Sequence, residues 1–521
     1  MTDADPSSAS LPYPGESFVY WVEARRRPIL ALAILFGLFW TILYLQFTVD
    51  DAYISFRYGK NLVAHHLWNW NTSGPREEAY TSALYTALSV IPALLRLSPA
   101  LFFKLVGMAC VGVMLYRMRS AASPFAALFG TLLIAIHPWV WLHAYSALET
   151  PLYMLLILEM ALCAHRAATT SPAWVYTVYL LLPLTRPEGI VFACAGVLLY
   201  WRGRGTAPKR LPWFAASFSL GLLYFIARWR FFHHLLPNPF YVKLAPERWS
   251  AVASQVLYNF SESKGYFLLL FLVVIVARKP CTRIFAVAGL ALLLLLYAPH
   301  AMHMNYADRF YFQVAFPILL FFLIAEDVAR IAPTASIVVL VGLFAASIDE
   351  LRPRLVYFPA LIQSNLDLGR GLAPFASNHT LFTGDAGAIP YYSNWISYDP
   401  FGLATYSIAR AGVTLPLMRQ LHPDLIFIES EDPGPGVLQQ LASAGEGPVW
   451  VAPLTYIRQS GEYDYVGDSD FRGEYLVEFL RKDTPQYAQI AAVLGQNTAS
   501  SAGSRITLHD LLLQKYVPWR P

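Results

Sequence analysis

Charge is scarce in this chain: Asp, Glu, Lys and Arg make up 14% of its 521 residues, against 56% hydrophobic and 15% aromatic. Globular proteins carry about a quarter charged residues, so the composition excludes a soluble globular class and predicts a polytopic membrane protein. The formal net charge of +4 is small and calls for no nucleic-acid partner. Cysteine is scarcer still. Cys110, Cys163, Cys194 and Cys281 all fall in or beside hydrophobic runs, away from the exposed, oxidising setting in which disulfide frameworks form. The sequence also lacks an internal repeat, a low-complexity tract and a small-residue cleavage site after its first hydrophobic run. That last absence makes Arg25-Arg26-Arg27 and the run behind it read as a signal anchor with a cytoplasmic N-terminus, residues 1–27.

What is abundant is apolar sequence in blocks. Hydrophobic runs lie near 29–49, 100–116, 123–141, 150–164, 172–185, 189–201, 211–229, 266–277, 284–298, 310–325 and 334–347. An upright span needs about 17–25 residues, so several of these must recruit their flanks. Basic clusters alternate with them: Arg117 with Arg119, Arg166, Arg202 to Arg210, Arg278 to Arg283, and Arg330. Placing all of these in the cytoplasm, as the positive-inside rule asks, predicts about eleven spans over residues 28–349. A first outer loop covers 50–99, and everything after about 348 lies outside. Residues 82–96 fit only if they do not cross; with 53–66 they are expected to lie along the outer membrane face.

From 350 to 521 the composition changes. Gly, Pro, Ser and acids become common, and short apolar runs such as 424–428 and 475–479 alternate with helical stretches such as 403–421 and 484–494. This predicts a soluble, extracytoplasmic α/β domain large enough for its own core.

The predicted topology gathers the ionisable residues on one side. Asp50, Asp51, Glu149, Arg186, Glu188, Lys243, Asp308 and Arg309 all fall outside, as do His137, His143, His233, His234, His300 and His303. Ionisable residues at membrane depth are functional candidates by default, and this one-sided set predicts a single outward cleft. Foremost is the pair Asp50-Asp51 at the outer end of the first run.

The stretch Asp50-Asp51-Ala-Tyr-Ile-Ser-Phe-Arg57-Tyr-Gly-Lys60-Asn61, continuing through Trp68-Asn69-Trp70-Asn71 to Glu78-Ala-Tyr80-Thr81-Ser82, resembles the first outer loop of GT-C glycosyltransferases. Four later blocks match in order: Tyr145-Ser146-Ala147-Leu148-Glu149-Thr150, Thr185-Arg186-Pro187-Glu188-Gly189, Leu236-Pro237-Asn238-Pro239-Phe240-Tyr241-Val242-Lys243, and Arg309-Phe310-Tyr311 leading to Phe316-Pro317. Gly384-Asp385-Ala386-Gly387, followed by Asp399, also recurs among these relatives. Within the superfamily the chain is most similar to the mycobacterial terminal arabinofuranosyltransferases. It departs from them in a shorter soluble tail and in His-His-Leu-Trp where a Gly-rich turn is usual.

The resemblance implies transfer of a sugar, arabinofuranose first, from a polyprenyl-phosphate donor to a glycan, lipid or protein acceptor outside the bacterial inner membrane, with inversion. The leaving phosphate needs cations around it as charge develops, and the acceptor hydroxyl needs one carboxylate base. Asp50 or Asp51 supplies the base, with Asp50 favoured; neighbouring side chains project differently, so the other orients an arginine or a divalent cation of the Ca²⁺ or Mg²⁺ type. Lys243 is the first phosphate ligand, with Arg186, Arg57 and Arg309 as further candidates. Their bland alternatives are a snorkelling lysine and structural ion pairs such as Arg186 with Glu188. Glu149, Glu188, Tyr53, Tyr80, His300 and His303 are candidates for contacting substrate, although aromatic belts explain outer tyrosines and tryptophans equally well. A hexose or aminoarabinose donor, or a transporter or flippase for a lipid-linked substrate, is the alternative.

Overall fold

The structure is a computed structural model that describes residues 24–204, 210–243, 249–263, 265–300, 305–326, 342, 351–375, 378–439, 449–470 and 475–501. Local sequence sets many of its helix starts. Ser98-Pro99, Ser123-Pro124 and Ser171-Pro172 each place a serine hydroxyl on a first-turn N–H and a proline at the first helical position, where its missing N–H costs nothing.

Ten of the eleven apolar runs fall on helices. These are Arg26–Tyr44, Pro99–Met118, Pro124–Ile136 with Pro138–Tyr145, Thr150–His165, Pro172–Thr185, Ile190–Arg204, Leu211–Phe232, Tyr266–Val276, Pro280–Leu292 continued by a π-turn to Tyr297, and Arg309–Ala325. Five are long and apolar enough to cross a membrane alone, and up to seven if each bent pair is one span. Apart from residue 342, the run 334–347 lies outside the described residues, as do residues 1–23. Helix Arg309–Ala325 is buried along its whole length and forms the axis of the bundle. The exposed Leu and Phe side chains of Arg26–Tyr44 and Leu211–Phe232 face outward, as expected for surfaces that meet lipid. The chain is thus a polytopic α-helical membrane protein with a small sheet domain after it.

That sheet has five strands in the order β2-β1-β3-β5-β4: β1 Thr380–Phe382, β2 Ile396–Tyr398, β3 Leu425–Ser430, β4 Tyr463–Asp470 and β5 Tyr475–Arg481. β1, β2 and β3 are parallel, whereas β4 and β5 form an antiparallel hairpin against β3. Both runs expected to be strands are strands, and β3 is buried on both faces as its unbroken apolar sequence requires. The expected helix over 403–421 is broken into Tyr406–Ala411 and Leu415–Leu421, because Gly412 takes a positive φ between them.

Helix Ala52–His65 corrects one expectation. It was placed along a membrane surface, yet Tyr53, Ile54, Phe56, Arg57, Tyr58 and Asn61 are all buried. Its first turn packs under the sheet domain, where Tyr53 meets Tyr391 edge-on and Tyr392 at a tilt. The helix is a joint between bundle and sheet domain.

Candidate active site

The bundle end beneath the sheet domain carries three groups of polar side chains. The first begins where helix Arg26–Tyr44 stops. The chain turns at Phe47, and the Val49 N–H donates to the Ser146 carbonyl at 3.1 Å, which fixes the acidic pair that follows. Asp50 is buried. Its Oδ2 accepts the Gly387 N–H at 2.8 Å, and its Oδ1 accepts the Ala388 N–H at 2.9 Å and the Asn365 amide at 3.2 Å. A carboxylate at the first N–H groups of helix Ala388–Ser393 is well placed electrostatically. The approach needs glycine: a Cβ on Gly387 would collide with the carbonyl and carboxylate of Asp50. Burial, aided by Asp51, still raises the Asp50 carboxyl to about 6 against the pull of these donors.

Asp51 is half-buried and lies within electrostatic reach of Asp50, Asp385, Asp399 and Tyr306. Asp385 bonds Asn365 and is pushed well above the carboxylate range by burial, then by the charges of Asp50 and Glu429. The structure therefore separates the acidic pair. Asp50 is a ligand for the sheet domain's backbone, and Asp51 is the less buried carboxylate of the two.

The second group is a buried network of two arginines and two glutamates. Arg186 reaches Glu149 at 2.7 Å and Glu188 at 2.5 Å; Arg309 reaches Glu149 at 2.8 Å and the Thr150 hydroxyl at 3.2 Å; Tyr297 donates to Glu188 at 2.6 Å. The four formal charges cancel, which is what burial of ions requires. Ala147, Ala307 and Asp308 flank it with positive φ of 61°, 50° and 52°, conformations that cost non-glycine residues about 1–3 kcal/mol and cluster at functional sites. Tyr306 is within reach of both Asp51 and the Glu149–Arg309 pair, so the first two groups adjoin.

The third is a cavity of about 320 Å³ between helices Pro172–Thr185 and Leu211–Phe232. Leu184, Phe218, Phe225 and Pro237 give it an apolar lining, and Glu78 with Arg228 is its charged edge. Arg228 donates to Glu78 Oε1 at 2.8 Å, while the buried Oε2 has no partner. Glu77 accepts from the Asn238 amide at 2.8 Å and the Tyr406 N–H at 2.7 Å, and burial lifts it to about 7. The segment 183–190 joins this cavity to the ion network: Pro183, Leu184, Pro187 and Ile190 line the one, and Arg186 and Glu188 belong to the other.

Several residues expected at the site are placed otherwise. Arg57 is buried under the sheet domain, donating to the Trp395 carbonyl at 2.7 Å and Asn71 at 3.2 Å over the Trp70 ring, so its hydrogen bonds hold the joint. Arg186 and Arg309 direct their charge to Glu149 and Glu188, the ion-pair alternative for Arg186 extended to a second arginine and a second glutamate. Tyr53 packs at the joint, and Trp70 is fully buried, so neither belongs to an interfacial belt. Tyr80 meets Tyr58 edge-on and lines the cavity. His300 places Nδ1 2.8 Å from the Leu296 carbonyl; His303 lies outside the described residues. Lys243 ends the short helix Asn238–Lys243, and its side chain is likewise outside the described set. Among the described residues, no three His, Cys, Asp or Glu side chains are grouped to hold a metal.

Sequence reading missed Arg228, Glu77 and Asn365 as site members. Arg228 and Glu77 left a signal, an arginine inside an apolar run and a second adjacent acidic pair. Asn365 left none, since only the fold brings it to Asp50.

Comparison with known proteins bears on the fold. The crystal structure of ArnT from Cupriavidus metallidurans in the apo state matches 92% of this chain and 99% of its own, at TM-score 0.50 and 13% identity. The fold is shared with ArnT. The structure of ArnT from the same organism bound to undecaprenyl phosphate matches over 90% of this chain and 100% of its own, at TM-score 0.48 and 13% identity. Residues 360–487 match a family model described as a domain of unknown function, DUF8728. No curated protein matches the chain. The architecture is therefore that of the ArnT fold, a helical membrane bundle with a sheet domain.

Proposed function

We propose that the protein is a membrane glycosyltransferase that moves a sugar from a polyprenyl-phosphate donor to an acceptor on the extracytoplasmic side. The observation that carries this reading is the junction of an apolar cavity with a strained, charge-balanced ion network and a bordering carboxylate, all at one end of the bundle. A polyprenyl chain suits the cavity lined by Leu184, Phe218 and Phe225. The carrier phosphate then lies near the short helix that ends in Lys243, with Arg186 and Arg309 lending positive potential held in place by Glu149 and Glu188. ArnT, whose fold the chain shares, has been crystallised with undecaprenyl phosphate.

Asp51 is the general base in this reading, with Asp50 positioning it through the sheet domain. As the acceptor hydroxyl attacks the anomeric carbon, its proton passes to the Asp51 carboxylate, the glycosidic C–O bond breaks, and the electron pair leaves on the lipid phosphate. That anion needs neighbouring cations and no proton donor. Arabinofuranose is the first-choice sugar. The surplus of carboxylates around Asp51 favours an amine-bearing sugar such as aminoarabinose as the second reading.

Purified protein offered a panel of synthetic polyprenyl-phosphate sugars, with membrane extracts as acceptor, tests this. Asp51→Asn is expected to lose about 10²–10⁴-fold in transfer at unchanged thermal stability. Full activity in Asp51→Asn, or no turnover of any donor by wild type, would sink the reading and favour transport of a lipid-linked substrate.

A further inference from the structure

The parallel half of the sheet has a topological switch point that the transfer reading leaves unused. β1 lies between β2 and β3, so the chain leaves β1 to one side and returns on the other. In open α/β sheets such a switch point, at the carboxyl ends of the strands, is where ligands bind. Here the carboxyl ends supply Gly384 and Asp385 after β1, Asp399 and Phe401 after β2, and Glu429 in β3. They open toward Asp51, which is within electrostatic reach of Asp385 and Asp399.

Phe401 is a built platform. It is 37% exposed, yet its backbone is fixed: Asp399 Oδ1 accepts the Phe401 N–H at 2.8 Å and Oδ2 accepts the Ala404 N–H at 2.9 Å. Trp450 packs edge-on behind the ring at 5.9 Å between centroids. Beside the ring, the Glu429 carboxylate and the Phe401 edge meet over Gly384, and any side chain there would collide with both. At the inner end Asn365 is fully buried. Its amide nitrogen is on Asp50, and its Oδ1 has no hydrogen-bond partner; an acceptor atom so buried is costly until a donor meets it.

An open ring face flanked by carboxylates and an orphaned amide oxygen selects for a ligand with an apolar face and several hydroxyl donors. Lipid tails lack the donors, and anionic polymers meet like charge. We propose that this switch point is a glycan subsite that seats one neutral or amine-bearing sugar residue, stacked on Phe401 with hydroxyls donated to Glu429 and Asp385. The further step, that the seated glycan is the acceptor presented to Asp51, rests on the transferase reading.

Saturation-transfer NMR on the full-length protein in detergent tests the subsite, with an arabinofuranose pentasaccharide and maltopentaose as probes. Wild type is expected to bind at least one. Phe401→Ala and Glu429→Gln should each weaken binding about tenfold, and Phe401→Trp should retain it, which separates loss of the platform from loss of fold. If neither probe binds wild type, or both weakening variants bind as wild type does, the subsite is overturned. Sugar transfer from the donor panel to membrane extracts by wild type reports the other reading separately. Binding without transfer keeps the glycan subsite and removes the transferase; transfer without binding does the reverse.

Discussion

The two charged groups at the sheet-domain end differ in how their charge is balanced. Around Glu149, both glutamates have a guanidinium: two arginines meet two glutamates within 2.8 Å, and Tyr297 and Thr150 take up further contacts. Around Asp50, acids gather: its own carboxylate accepts two backbone N–H groups and one amide, while Arg57 and Lys60 in the same joint are bonded to Trp395, Asn71, Tyr391 and Asn394. A balanced buried network holds its geometry without help. An acid-rich one is completed by a proton or by a ligand that donates hydrogen bonds. The first group therefore reads as the rigid frame of the site, and the second as the part that responds to what arrives.

Breaking the balanced network should have the largest effect on stability. Arg309→Met strands Glu149 with a single arginine in a buried setting, and the loss is expected to reach about 3–5 kcal/mol, visible as a sharp fall in thermal midpoint or in yield of folded protein. A fall no greater than that of a surface arginine variant would show that the network is not the frame.

Next comes the joint itself. Gly387→Ala forces a methyl against Asp50 and is expected to cost about 1–3 kcal/mol, the usual range for overpacking. The bundle helices should be spared, so protease cleavage between bundle and sheet domain would rise while detergent-resistant helical content stays. Equal loss in both regions would mean that the two fold as one unit.

The acid-rich group also predicts the sign of a pH effect. Asp50 is raised from 3.8 to about 6, and Asp385 is raised well above its ordinary value with Asp51 and Glu429 nearby. A carboxyl raised on folding binds more protons folded than unfolded, so stability rises as pH falls toward the unfolded value and is lost as pH climbs through the folded one. The thermal midpoint should accordingly be higher near pH 5 than near pH 7.5. Asp385→Asn, which keeps the neutral form, should flatten that slope. A steeper slope in the variant would place the titration elsewhere.

The smallest effect is expected at Ala147, whose φ of 61° suits glycine. Ala147→Gly should raise stability by about 1 kcal/mol or less through relief of strain, read as a small upward shift in midpoint. If transfer activity falls at the same time, the strained turn positions Glu149 for function.

Membrane class, the positions of ten helices and the two principal strands of the tail were legible in the sequence, because each follows from local apolar pattern and from Ser-Pro helix starts. Asp50-Asp51 was legible as a place of interest because adjacent acids beside an apolar run are costly. Which of the two does what was not legible. That depended on Gly387, Ala388 and Asn365, more than 300 positions away, arriving at Asp50 with their donors. The same holds for Arg57, whose partners Trp395 and Ser397 sit in the sheet domain, and for Arg186 and Arg309, whose charges are claimed by Glu149. Sequence by itself determined where charges would be expensive to bury. Only tertiary structure decided which were compensated by an opposite charge and which by backbone N–H groups and an amide, because compensation depends on distance in space and not along the chain.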